Sequence, residues 1–221
     1  MLAFSKPILL TLKNSVTLKG QVTQRSVDKA AQELLKLSNQ APLSEELFLV
    51  LDSPGGSIVA GLNFIQLIKA IPQKVSCIAM FAASMAHGIL QQCTGDRYVT
   101  ENGVIMIHRA RGQISGQFNN GEMESRLKFW KQVVTNMEAK NAARQNMSLE
   151  KYQKLAKDEY WCFAAECVHD NIADYETNIK CSKEMLEKKI IISKRFFFGS
   201  FRIEKSACPL IKTGKVLDNK R

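Results

Sequence analysis

The sequence predicts an α/β fold in which buried parallel strands alternate with helices. The prediction rests on one pattern that occurs twice. Residues 47–51, Leu-Phe-Leu-Val-Leu, form a continuous apolar run of strand length, as expected for a strand covered on both faces. The run ends in Ser53-Pro54-Gly55-Gly56, after which Ile58, Leu62, Ile65 and Ile68 recur at helical spacing as far as Pro72. Residues 75–80 then supply a second apolar strand, Ser84 marks the turn, and Met85, Ile89 and Leu90 belong to a second helix. Such an alternation implies right-handed crossovers and one parallel sheet. Ligand sites in such sheets lie at the carboxyl ends of the strands, which is where Gly55-Gly56 and Ser84 fall.

The flanking elements follow from the same rules. Residues 16–22 alternate in strand fashion, and residues 26–37 carry Val27, Ala30, Ala31, Leu34 and Leu35 at helical spacing with Ser26 as the expected N-cap. Residues 97–99 and 104–107 are further strands, 117–145 one long helix, and 149–155 a shorter one.

A chain of 221 residues with 45% hydrophobic and 24% charged residues suits one globular domain with an appendage. The boundary is expected at 182, leaving 183–221 as a basic C-terminal extension. That extension holds 11 Lys and Arg against 4 Asp and Glu, so +7 of the net +10 lies there. A solvated basic tail explains this charge without nucleic acid, which is not expected as a partner. Phe196-Phe197-Phe198 and Phe201 among the basic residues leave docking on a neighbour or a membrane surface open beside partial disorder. No apolar run reaches the roughly 18 residues of a membrane span, and Lys6-Pro7 interrupts the weakly apolar start, so neither a span nor a signal peptide is expected. Cys77, Cys93, Cys162, Cys167, Cys181 and Cys208 form no CxxC pair, which reads as scattered, buried thiols of a reduced cytoplasmic chain.

The chemistry is concentrated in Phe81-Ala82-Ala83-Ser84-Met85-Ala86-His87 and, 24 positions beyond the serine, His108 at the end of an apolar strand. Acyl transfer needs a nucleophile on a tight turn, an imidazole to take its proton and backbone N–H donors for the oxyanion. Ser84 is the candidate nucleophile, although any serine at a strand-to-helix junction can be a plain N-cap. Small Ala82, Ala83 and Ala86 favour the nucleophile, by leaving clearance for a substrate backbone. His108 is the candidate base; His87 competes as a surface neighbour on the nucleophile's own helix, and His169 lies in a late polar segment. The N–H groups of Gly56 and Met85 are the candidate oxyanion donors. No metal or other cofactor is expected.

Together, Ser-Pro-Gly-Gly-Ser at 53–57, Ala-Ala-Ser-Met around Ser84, Val-Ile-Met-Ile-His at 104–108 and Asp-Glu-Tyr before Ala165-Glu166 resemble the Clp protease proteolytic subunit (ClpP) family. The resemblance runs from about Leu18 to Asp174. It implies a repeated ββα superhelix of the ClpP/crotonase kind, with residues 117–145 as a protruding handle helix. It further implies a Ser–His–Asp triad, homo-oligomeric rings around a chamber, peptide or unfolded-protein substrates, and a possible AAA+ unfoldase partner. The third triad member is Asp158 if Asp158-Glu159-Tyr160 matches the family's acid-x-aromatic pattern, and Glu159 if one counts back from Ala165-Glu166 without a gap. Asp158 keeps the spacing from the histidine closer to the family's and is the expected acid. Arg109-Ala110-Arg111 departs from the apolar, proline-containing run usual in the family, and His87 from its small or apolar residue.

Three other readings share the fold or the residues. A signal-peptide-peptidase-like enzyme would use a Ser–Lys dyad and a membrane anchor. A crotonase-type acyl-CoA enzyme would leave Ser84 and His108 idle. A non-catalytic or paralogue-dependent ring subunit would keep the fold without turnover.

Overall fold

The computed structural model describes residues 5–112, 116–196 and 199–220. After the short β1 (Ile8–Leu10), the chain builds a sheet from β2 (Ser15–Lys19), β3 (Leu47–Ser53), β4 (Val75–Ala83) and β5 (Arg97–Ile107), parallel and in that spatial order. Helices α1 (Gln24–Gln40), α2 (Ile58–Ala70) and α3 (Met85–Gln91) connect them. Beyond β5 come α4 (Asn120–Arg144), α5 (Leu149–Leu155), a 3₁₀ turn over Ala156–Asp158, β6 (Tyr160–Phe163), α6 (Ala165–His169) and β7 (Tyr175–Thr177). The outer edge of β5 is shared: β6 runs antiparallel along residues 104–107, and β7 parallel along residues 98–100. The two strands expected around Gly103 are therefore one. Glycine is required there because a Cβ would lie 2.6 Å from the Ala79 carbonyl oxygen on the neighbouring strand.

The apolar run of β3 is covered on both faces, as its composition requires. Leu49 and Leu51 pack with Leu34 of α1, Phe64 of α2 and Ile89 of α3. Val50, pointing the other way, packs with Ile78, Tyr98, Leu10, Ile179 and Met185. These three β3 side chains are fully buried, each worth roughly 1.5–3 kcal/mol.

Helix starts show where local chemistry decides a boundary. Thr23, not Ser26, caps α1; Ser26 occupies the third helical position and returns a bond to the Thr23 backbone, completing a capping box. Asn119 and Glu122 do the same for α4, which therefore begins three residues later than the periodicity suggested. The first half of α4 stands away from the sheet as the handle, with Leu127 and Phe129 exposed, while Glu138, Asn141 and Ala142 near its end are buried.

The basic extension is folded where it is described. β8 (Ile179–Cys181) pairs with β1, Ser182 caps α7 (Lys183–Glu187), and β9 (Lys189–Phe196), β10 (Gly199–Ser206) and β11 (Lys215–Lys220) form a separate antiparallel sheet. Cys208 is buried on the second face of the main sheet, and Lys212 reaches Asp52 of β3 at 3.1 Å. Phe197 and Phe198 of the aromatic run lie outside the described residues, as do the side chains of Phe196 and Phe201.

The cysteine expectation is corrected. The thiols are not scattered but meet in three pairs, Cys77–Cys93, Cys162–Cys167 and Cys181–Cys208, with Cα separations of 6.1, 5.2 and 5.9 Å that suit disulfides. Pairing across strand ends and between distant elements is invisible to spacing. No helix among the described residues is long and apolar enough to cross a membrane.

Candidate active site

The carboxyl ends of β3, β4 and β5 converge. At the end of β4 the chain turns into α3 through Ser84, whose φ of 56° and ψ of −120° are strained for any residue with a Cβ. The turn is held because the Ser84 N–H donates to the Met106 carbonyl on β5 at 2.9 Å, and Gly88 N–H to the Ser84 carbonyl at 3.1 Å. The hydroxyl caps nothing in α3, so the plain N-cap reading is set aside. Its Oγ lies instead 2.7 Å from Nε2 of His108. With the imidazole proton on Nδ1 the hydroxyl is the donor of that bond, which is the arrangement a general base needs.

His108 stands one residue beyond β5. Arg109 N–H donates to the Ala156 carbonyl at 3.0 Å, which ties this strand end to the 3₁₀ turn bearing Asp158 and Glu159. Partial burial, and then the positive charge of Arg111, hold the His108 pKa below the ordinary 6.5, while Glu159 pulls the other way. His108 is therefore neutral, and competent as a base, at neutral pH.

The third strand end supplies the glycines. Gly55 has φ of +89°, and a Cβ on it would sit 2.6 Å from Ser84 Cβ and 2.8 Å from the Met85 nitrogen. The Pro54-Gly55-Gly56 turn thus presses directly on Ser84, which glycine alone allows. It is pinned by Val22 N–H to the Gly55 carbonyl and Ser57 N–H to the Val22 carbonyl, both at 2.8 Å. Among the described residues the N–H groups of Gly56 and Met85 donate to no protein acceptor. Free donors on the residue after Ser84 and on the glycine turn that packs against it are of the kind a tetrahedral oxyanion requires.

Nδ1 of His108 is buried and has no hydrogen-bond partner among the described residues. Asp158, the expected acid, ends the 3₁₀ turn, and its carboxylate makes no hydrogen bond or ion pair among the described residues. Glu159 follows at φ of 63° and binds Arg111 at 3.1 Å. The structure thus brings Ser84, His108 and Met85 together, sets Gly56 next in the chain to the Gly55 that presses on Ser84, and places neither Asp158 nor Glu159 in a hydrogen bond with the imidazole.

Two sequence expectations change. His87 is not a surface neighbour of Ser84: it is buried, accepts a hydrogen bond from Gln145 at 2.9 Å and lies over the Tyr152 ring. Burial, with Arg97 contributing, lowers its pKa to about 3, so it is a neutral packing group behind Ser84. Ala82, Ala83 and Ala86 are also buried, so their smallness serves close packing of β4 and α3 rather than clearance for substrate. His169 is exposed and paired with Asp170.

Sequence reasoning missed Asn141 and Tyr152. With Ile58, Met85, His87 and Met137 they line a cavity of about 30 Å³ that opens beside Ser84 and His108. No apolar stripe on α4 or α5 pointed to them; the one available signal was an asparagine beside the small Ala142-Ala143 pair. No group of three or more His, Cys, Asp or Glu among the described residues is placed to hold a metal ion.

The Clp protease family profile matches residues 6–175, which contains every element that carries the site. The chain belongs to the Clp protease family. Among its relatives, the ATP-dependent Clp protease proteolytic subunit 3 of Streptomyces coelicolor is 34% identical over 162 residues, 72% of this chain and 73% of that protein. The ATP-dependent Clp protease proteolytic subunit 1 of Streptomyces avermitilis is 30% identical over 145 residues, 64% of this chain and 66% of that one. The handle helix, parallel sheet and crossovers are those of the Clp protease fold, and this family is one of peptidases. The extension from about residue 176 onward lies outside the match.

Proposed function

We propose that this Clp protease family chain is a serine endopeptidase in which Ser84 is the nucleophile and His108 the general base. The supporting observation is the 2.7 Å contact between Ser84 Oγ and His108 Nε2 at a strained strand-to-helix turn. Ser84 Oγ attacks the scissile carbonyl as His108 Nε2 takes its proton. The oxyanion accepts hydrogen bonds from the Gly56 and Met85 N–H groups, each worth roughly 3–4 kcal/mol of barrier lowering. Histidinium returns the proton to the leaving amine, and water then cleaves the acyl-enzyme by the same path in reverse. The carboxylate that steadies the imidazole comes from the Asp158-Glu159 turn, Asp158 being the sequence-based candidate.

Substrates in this proposal are peptides and unfolded proteins admitted to a chamber formed by rings of this chain, fed by an AAA+ unfoldase partner. The chain itself contains no G-x-x-x-x-G-K-[ST] phosphate loop. A cytoplasmic location belongs to the same proposal, and there the three cysteine pairs would stand as neighbouring thiols.

Labelling of the purified protein with a fluorophosphonate, with Ser84→Ala as control, tests the reading. Ser84-dependent labelling supports an activated nucleophile; labelling that survives Ser84→Ala refutes it. The unpartnered Nδ1 of His108 favours a second reading, a ring subunit that is active only beside a paralogue. That reading predicts labelling only after a second Clp proteolytic subunit is added.

A further inference from the structure

We propose that Glu159 is the carboxylate that orients His108 and that Arg111 is a latch holding it off the imidazole. The inference rests on the serine-peptidase reading above and names a control on that same site. Its first support is an unsatisfied group. A buried imidazole nitrogen without a partner is rare in folded proteins and marks a site one contact short of completion. The second support is the place from which a partner can come. The Arg109–Ala156 backbone bond brings the 156–160 turn against the end of β5, and that turn carries the carboxylates Asp158 and Glu159.

These carboxylates differ. Asp158 ends the 3₁₀ turn, is exposed and holds no side-chain partner among the described residues. Glu159 is in a positive-φ conformation, 63° and 118°, that a glutamate adopts only under constraint from its surroundings. Its charge already acts on His108, in opposition to that of Arg111. Its oxygen, however, is bound by the Arg111 guanidinium at 3.1 Å. Arg111 is 77% exposed on its side chain and Glu159 38%, so this pair is of the weak, solvent-screened kind. A charge-assisted bond from the buried Nδ1–H is the stronger alternative for the same carboxylate. Glu159 is thus poised between two partners, Arg111, three residues after His108, and His108 itself. Rotation of its side chain from the first to the second completes the triad, and whatever removes Arg111 promotes that step. Both are positioning residues, since neither touches the reacting atoms.

The test is steady-state cleavage of a fluorogenic peptide by the full chain, with fluorophosphonate labelling run on every variant. Arg111→Gln is expected to raise kcat several-fold at little-changed KM, and to move the acid limb of the kcat/KM profile to higher pH, because a positive charge beside His108 is lost. The charged groups acting on His108 are Arg111 and Glu159, and the variant removes one of them. Glu159→Gln should lower kcat by about 10⁴-fold through loss of the correct tautomer, and the double variant should gain nothing from Arg111→Gln. Glu159→Asp should restore part of the rate, which a purely structural role would not predict. Ser84-dependent labelling with an unchanged or lower rate in Arg111→Gln overturns the latch alone. A loss in Asp158→Asn that Glu159→Gln does not share overturns the Glu159 assignment and the latch together, and leaves the serine-peptidase reading standing. Absence of Ser84-dependent labelling in every variant overturns the serine-peptidase reading and the latch with it.

Discussion

Two turns in this molecule have nearly the same backbone and very different surroundings. Ser84 leads from β4 into α3 at φ 56° and ψ −120°; Ala164 leads from β6 into α6 at φ 45° and ψ −121°. Each donates its N–H to a β5 carbonyl at 2.9 Å, Ser84 to Met106 and Ala164 to Gly103. Each enters its helix without a side-chain cap. The strained turn is therefore this fold's way of passing from strand to helix beside β5, and by itself it is not a sign of chemistry. At Ser84 the neighbouring strand ends bring a glycine turn and a histidine to the same point. At Ala164 the turn is flanked by the Cys162–Cys167 pair, and its methyl group is buried. Convergence of parallel strand ends separates a site from a joint.

The largest expected effect removes the difference between the turns. Ser84→Ala should cut peptide cleavage by ~10⁴-fold or more while leaving far-UV circular dichroism unchanged. The reciprocal Ala164→Ser should create no fluorophosphonate-reactive serine, and a second labelled site there would break the comparison. Next comes the glycine turn, which only Ser84 has. Gly55→Ala would force a Cβ to within 2.6 Å of both Ala83 O and Ser84 Cβ at a φ of +89°, displacing the nucleophile from its donors. A loss of about 10²-fold in kcat is expected, comparable to deletion of one oxyanion donor, and a smaller change would show that the turn yields.

A third prediction concerns pH. His87, behind the Ser84 turn, has a folded pKa of about 3 against an ordinary 6.5. The unfolded chain therefore binds the extra proton first as pH falls. This contribution to stability is complete above pH 6.5 and is lost progressively towards pH 3, by a few kcal/mol in all, roughly. Thermal denaturation from pH 7 to 4 should show a shallower decline in His87→Gln than in the parent; equal slopes would place the acid sensitivity elsewhere. The smallest effect belongs to the joint. Replacing Cys162 by Ser should leave kcat nearly unchanged and lower stability by about 2 kcal/mol more in oxidised than in reduced protein; in the reduced protein only the cost of the buried hydroxyl remains. Mass spectrometry after alkylation without reductant reports directly whether the three pairs are bonded.

Much of the site was legible because its parts are local. The apolar run at 47–51, the Ser53-Pro54-Gly55-Gly56 turn and the strand ending at His108 each announce themselves within a few residues. Parallel pairing then brings their carboxyl ends to one place. What escaped depended on elements far apart in sequence. His87 has one face of α3 in common with the surface reading, but α4 and α5 close over it through Gln145 and Tyr152. Choosing between Asp158 and Glu159 turned on a gap of one residue, and a positive φ at Glu159 sets the direction in which its side chain leaves the turn. Nothing in the spacing of the basic extension revealed that Cys208 and Lys212 fold back onto Cys181 and Asp52.

By itself, then, the sequence determined the order of strands and helices, the strand-end positions of Ser84, His108 and Gly56, and the family. Periodicity, turn residues and short motifs act over a few residues, where backbone sterics and hydrogen bonding suffice. Tertiary structure alone decided that Ser84 Oγ meets His108 Nε2, that His87 is buried and neutral, that the cysteines pair, and that Arg111 holds Glu159. Each of these depends on the distance between groups 16 or more positions apart or on the local closing of β6 upon α6. Such distances are set by how sheets and helices stack, which no local pattern records.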